Sequence, residues 1–207
     1  MNNIHRCPAF LPWHRQFILD YEHDLQEASG NPNLGPPYWN WADDAALPDP
    51  TSGPVWADDF LGGNGDSSDG GIVKTGPFRE GEWTIIDGNG NPDGPLIRRF
   101  GEASSAPTLP SQTDVNNALA TTPYDSSPWD RFVNPSFRNR LEGWYGALGP
   151  GLHNRGHVWV GGSMLPMTSP NDPIFFLHHC FVDKLWADWQ ARFPNQQYLP
   201  QSGGRAG

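Results

Sequence analysis

Apolar residues in this chain keep a helical period in only a few places, and the first lies near the start. His14, Phe17, Ile18, Tyr21 and Leu25 recur at spacings of three, four, seven and eleven residues from His14, which places them on one side of a helix. That side is expected to be buried, with a histidine in it. Pro12 suits the first turn, where its fixed φ and missing N–H do no harm, and Gly30 can end the helix in a left-handed cap. His23 lies nine positions after His14, about 180° round the same helix, and is expected to face solvent.

From Asn31 to about Pro135 no strong period, repeat or low-complexity tract occurs, only turn-rich runs such as Leu61-Gly62-Gly63-Asn64-Gly65 and Asp87-Gly88-Asn89-Gly90. A few short strands are expected here, Trp83–Ile86 among them. Helical pattern returns at Ser136 to Tyr145 and again near His153. The clearest start signal is Asp172 as cap with Pro173 in the first turn, opening a helix that should end before Pro194. The small, polar tail from Gln201 to Gly207 is expected to be mobile. The pattern therefore predicts a mainly α fold with long irregular loops and a few short strands.

Composition narrows this further. The chain has 207 residues, enough for one domain with a substantial core, so residues 1–207 are read as a single domain. Its 24 glycines and 22 prolines fall mostly in the loop-rich middle, and its ten tryptophans are expected to anchor those loops onto a small helical framework. With 23 acidic and 13 basic residues the net charge is −10, which repels phosphate backbones and anionic lipid and makes nucleic acid and membrane surfaces poor partners. Neither a bilayer-spanning apolar run nor a signal peptide is visible, so the protein is expected in the cytoplasm or secreted by another route. Two cysteines, Cys7 and Cys180, are too few for a disulfide scaffold.

The candidate chemistry lies in five histidines in two clusters: His5 and His14, then His153, His157 and His179. In His153-Asn154-Arg155-Gly156-His157 two imidazoles stand one helical turn apart, about 5–6 Å at Cβ, within reach of one metal ion. At His178-His179 two adjacent imidazoles diverge by about 100°, so a given ion can use only one, and periodicity does not choose between them. Asp183, one turn after His179, could support its ring or pair with a cation nearby.

Several segments together carry a family likeness. Phe10-Leu11-Pro12-Trp13-His14-Arg15, Pro37-Tyr38-Trp39-Asn40-Trp41, Leu141-Glu142-Gly143-Trp144, His153 to Gly162, and Asn171 to His179 closely resemble, in order and over nearly the whole chain, bacterial tyrosinases of the type 3 copper family. The resemblance implies a four-helix core around two copper ions that together bind dioxygen. It assigns His5 and His14 to the first copper and His153, His157 and His179 to the second, with His178 a neighbour. The implied activity hydroxylates monophenols to o-diphenols and oxidises these to o-quinones, with phenolic small molecules and dioxygen as partners.

By the same likeness the first copper takes a third histidine from a helix upstream of His5, and this chain begins four residues before that position. The first core helix is therefore expected to be missing, with the chain N-terminally incomplete, the ligand held on a separate segment, or the site lacking it. A copper-delivery partner is a further expectation. Glu142 and Asn154 match positions that orient a water able to take the phenolic proton, while Arg138 or Arg140 offers Glu142 an ordinary ion pair. Leu165, with Met164 and Pro166, matches a loop over the second copper. Phe175, Trp13 and Trp186 are expected to shield the centre from water, with Phe175 and Leu165 lining a substrate pocket. Cys7 is read as an ordinary thiol. The alternatives are a catechol or o-aminophenol oxidase without hydroxylation, a dioxygen carrier, or an inactive copper protein.

Overall fold

Six α-helices dominate the described part of the computed structural model, which covers residues 4–132, 136–144, 149–198 and 200. The first, α1 (Phe10–Ser29), ends as the sequence predicts, on Gly30 with φ 67°. His14 and Ile18 are buried on its inner side, and His23 is exposed. Trp13, expected to shield the centre, is instead 42% exposed: it precedes His14 by one residue and so points about 100° away from the buried stripe.

After the four-residue α2 (Trp41–Asp44), a two-stranded antiparallel ribbon pairs β1 (Gly65–Asp66) with β2 (Ile72–Val73), Gly65 opposite Val73. Trp83–Ile86 is not the expected strand. Only Ile85 and Ile86 pair with the chain that turns back, Ile85 N donating to Gly94 O at 2.9 Å and its carbonyl accepting from Asp93 N at 2.8 Å; the Asn171 side chain accepts from Ile86 N at 3.0 Å and donates to Ile86 O at 2.7 Å, while the Trp83 indole donates to Asn171 O. α3 (Gln112–Leu119) was not foreseen, because only Val115 and Ala118 turn inward and two positions make no visible period.

α4 (Phe137–Glu142) is shorter than its pattern suggests. Ser136 caps it by accepting from Asn139 N, and Gly143 at φ 101° stops it where a side chain would strike the carbonyl of Gly151. Tyr145, to which the pattern extended, lies outside the described residues, as does the tail Gln201–Gly207. α5 (Leu152–Val160) and α6 (Ile174–Arg192) follow, and Asp172 accepts from Ile174 N at 3.2 Å as the expected cap.

Contacts between Cα atoms divide the chain into two compact units, each assembled from separated stretches. One comprises Met1–Tyr38, Gln112–Asn154 and Phe176–Gly207. Its interior is built by ring packing between helices: Trp189 stacks on Phe137 at 4.6 Å, Tyr21 on Phe176 at 3.9 Å, and Arg15 lies 3.9 Å above Trp186 while pairing with Asp183 at 2.6 Å. The other comprises Trp39–Ser111 and Arg155–Phe175. Its loops close around Trp39, Trp56, Phe100 and Trp159, and the buried Arg98 grips Asp172 through two hydrogen bonds while donating to the carbonyls of Leu61, Gly62 and Gly63. Among the described residues no helix is long and apolar enough to cross a membrane.

Candidate metal centre

Helix periodicity places five of the histidines and tertiary packing gathers them. His14 rides on the inner face of α1, His153 and His157 stand one turn apart on α5, and His178 and His179 are successive residues near the start of α6. His5 comes from the irregular segment before α1.

The rings form a continuous array. His5 and His14 have centroids 5.1 Å apart, His14 stacks on His179 at 4.3 Å with planes 9° apart, and His153 meets His179 at 4.9 Å edge-on. His178 stacks on His153 at 5.1 Å. Ligand atoms of His153, His178 and His179 lie within 4.8 Å of one another. Both early and late clusters are therefore represented in one array. His179 is the α6 histidine whose ring touches both His14 and His153.

Main-chain carbonyls hold three of the rings. Nδ1 of His14 donates to Phe10 O at 2.7 Å, Nδ1 of His153 to Glu142 O at 3.2 Å, and Nδ1 of His157 to Met164 O at 2.8 Å. A carbonyl can only accept, so Nδ1 carries the proton in each ring and Nε2 carries the lone pair, the tautomer a metal requires. Burial and the neighbouring Arg6 cation both push the His5 pKa down, favouring its neutral form too. An imidazole set of this kind suits copper or zinc better than calcium or magnesium, which prefer oxygen ligands. The residues present thus fit a copper centre.

The flanking candidates divide. Asn154 Oδ1 accepts from His153 Nδ1 at 3.0 Å. The carboxylate of the almost wholly buried Glu142 accepts from Arg6 N at 2.5 Å and from Arg138 Nη1 at 3.1 Å; burial raises its pKa while Arg138 opposes the rise. Asp183 is engaged by Arg15, the ion-pair option the sequence left open, rather than by an imidazole. Phe175 is buried with its ring 6.0 Å from His157, whereas Leu165, next to the carbonyl that holds His157, is 59% exposed. Trp186 is buried as expected, and Cys7 is buried too. Sequence reasoning missed Phe10, whose fully buried ring lies 4.7 Å from His14 and 4.8 Å from His153. Its spacing of four residues before His14 was the available signal.

Residues 1–192 match the family described as the common central domain of tyrosinase. The chain belongs to the tyrosinase family. It is 46% identical over 201 residues to a tyrosinase of Streptomyces antibioticus, covering 96% of this chain and 68% of that protein. It is also 40% identical over 223 residues to grixazone synthase of Streptomyces griseus, covering 95% of this chain and 70% of that one. Among solved structures, a variant of the polyphenol oxidase of Thermothelomyces thermophila matches with a TM-score of 0.68 at 27% identity, over 96% of this chain and 58% of that one. Membership of the tyrosinase family makes the chain a tyrosinase-like copper oxidase, and the buried imidazole group is consistent with copper binding.

Proposed function

We propose that this protein hydroxylates monophenols to o-diphenols and oxidises o-diphenols to o-quinones with dioxygen, using two copper ions. His5 and His14 serve the first ion, and His153, His157 and His179 the second. The observation that carries this reading is the contact of His179 with both His14 and His153, through which rings of the two clusters adjoin. Bound copper would supply the redox chemistry that activates dioxygen.

The chain's own residues do the rest. The carbonyls of Phe10, Glu142 and Met164 fix three imidazoles in the ligating tautomer. Phe10 and Phe175 exclude water beside the rings. A phenol has an unperturbed pKa of about 10, so its binding as phenolate near neutral pH calls for a proton acceptor. Glu142 and Asn154 orient a water that takes this proton, their proximity to His153 placing it beside the second ion. Leu165, exposed on the loop after Met164, contacts the incoming ring and limits its bulk. A copper-delivery partner would load the site.

Turnover of copper-loaded Glu142→Gln on a monophenol and on its o-diphenol tests the hydroxylation step. Monophenol turnover should fall at least tenfold further than diphenol turnover, roughly the contribution of a positioned base; equal losses, or none, would remove Glu142 from this role. A relative 40% identical to this chain bears a name other than tyrosinase, grixazone synthase, which leaves room for a second reading: oxidation of o-diphenols or o-aminophenols without hydroxylation. Absence of any monophenol turnover in the parent protein would select it.

A further inference from the structure

His5 is the one candidate ligand that no helix carries, so its position must be set by something else. The residue after it, Arg6, has φ 62°, a left-handed conformation that residues with a Cβ rarely adopt. Its amide donates to Glu142 Oε1, and its guanidinium lies 4.7 Å over the ring of Trp144. Further along, Tyr124 Oη donates to Pro8 O at 2.7 Å. The main chain beside His5 is thus fastened to Glu142, and the question is what fastens Glu142.

The answer is a fully buried ion cluster. Arg138, one turn before Glu142 on α4, has a side chain with no exposure; its Nε and Nη2 hold the equally buried Asp125 at 2.8 and 3.0 Å, and its Nη1 donates to Glu142 Oε2 at 3.1 Å. Nη2 also donates to Asp130 O at 2.8 Å, and Ser136 donates to Asp125 Oδ1 at 3.0 Å. Buried charges are tolerable only where each is paired and hydrogen-bonded, so the fork of Arg138, already set by Asp125, leaves the Glu142 carboxylate one position to occupy. Its second oxygen then meets the Arg6 amide, while the main-chain carbonyl of the same residue accepts from His153. Glu142 therefore ties together the backbone next to His5 and the ring of His153.

We infer that Asp125 and Arg138 are positioning residues that hold His5 in the candidate copper centre through Glu142. Asp125 and Arg138 touch no reacting group; they determine where the Glu142 carboxylate lies, and through the Arg6 amide, where His5 lies. The metal-binding consequence rests on the proposed copper centre, but the placement of the His5 ring does not.

Two variants of the full chain test this. Arg138→Lys keeps the charge and loses the fork; Asp125→Asn keeps the shape and loses one charge. In metal-free protein labelled with 15N-histidine, both variants should move or broaden the His5 ring resonances while those of His157, held by Met164 O, stay in place. In a copper titration the weaker of two sites should lose affinity about tenfold or more, with the tighter site changed far less, since changing residues that support a metal ligand typically costs 10- to 100-fold. Tyr124→Phe, which releases Pro8 instead, should perturb His5 less. If either variant is too unstable to study, the other decides. Lowered thermal midpoints with unchanged His5 resonances and unchanged copper affinities would reduce the cluster to a core ion pair and overturn the inference. A parent protein that binds fewer than two copper ions would overturn the dicopper reading instead, and the His5 resonances would still decide the positioning role.

Discussion

The two compact units solve the same problem by different means. The unit containing α1, α3 and α4 buries helix faces against one another, with rings such as Trp189 and Phe137 filling the space between backbones whose hydrogen bonds are already made within each helix. The unit containing Trp39–Ser111 has mostly irregular chain, whose carbonyls need partners from elsewhere, and Arg98 supplies them to three successive residues at once. Helices carry most of their own hydrogen-bond satisfaction; the loop at residues 61–63 borrows part of it from a buried cation. Outside the Arg138 cluster, damage should therefore be spread out in the first unit, and in the second it should be concentrated at Arg98.

The sharpest way to break this contrast is Arg98→Ala, which leaves Asp172 buried without its cation and three carbonyls without their donor. A loss of about 3–5 kcal/mol is expected, the range for removing one partner of a buried ion pair, and hydrogen exchange should accelerate first at residues 61–63. A small uniform loss in chemical denaturation would show that the loops have another anchor. Leu141→Ala, a fully buried position on α4, should cost about 2–5 kcal/mol, most often below the Arg98 loss, by opening a cavity that neighbouring helices partly refill. Its denaturation midpoint should fall without any segment exchanging ahead of the rest.

Ser136→Ala removes the α4 cap together with a donor to the buried Asp125 carboxylate and should cost about 2 kcal/mol, with faster exchange at the first turn of that helix and beside Asp125. Smallest of all is Asp183→Asn. Both side chains of the Arg15–Asp183 pair are 30% exposed, so water screens the pair, and the loss should stay within about 1 kcal/mol and shrink further in high salt. A larger loss would mean that the clasp between α1 and α6 matters as much as the buried clusters do.

Regular helices were the most legible part of the chain. Gly30 after an apolar stripe, and Asp172 with Pro173 before one, are local signals, and α1 and α6 end or begin where those signals stand. α3 was invisible because only two of its side chains face inward. Trp83–Ile86 has strand-like composition, yet regular pairing is limited to Ile85 and Ile86 with the nearby Pro92–Gly94 stretch, and its other edge is held by Asn171, distant in sequence. The candidate centre shows the same division. The one-turn spacing of His153 and His157 was plain, but periodicity left His178 and His179 equal, and the stacking of His179 on the distant His14 had no local signal. Asp125, which grips Arg138, carried no signal at all.

By itself the sequence determined what depends on residues within a turn or two of each other: helix stops and caps, the phase of the apolar stripes, the pairing of histidines on one helical face, and the family to which the chain belongs. Only the tertiary structure decided which distant groups meet: Glu142 with the Arg6 amide, Arg15 with Asp183, and Arg98 with three carbonyls. The physical reason is that a backbone hydrogen bond within a helix spans four residues, whereas burying a charge or an imidazole requires partners that only chain folding can deliver.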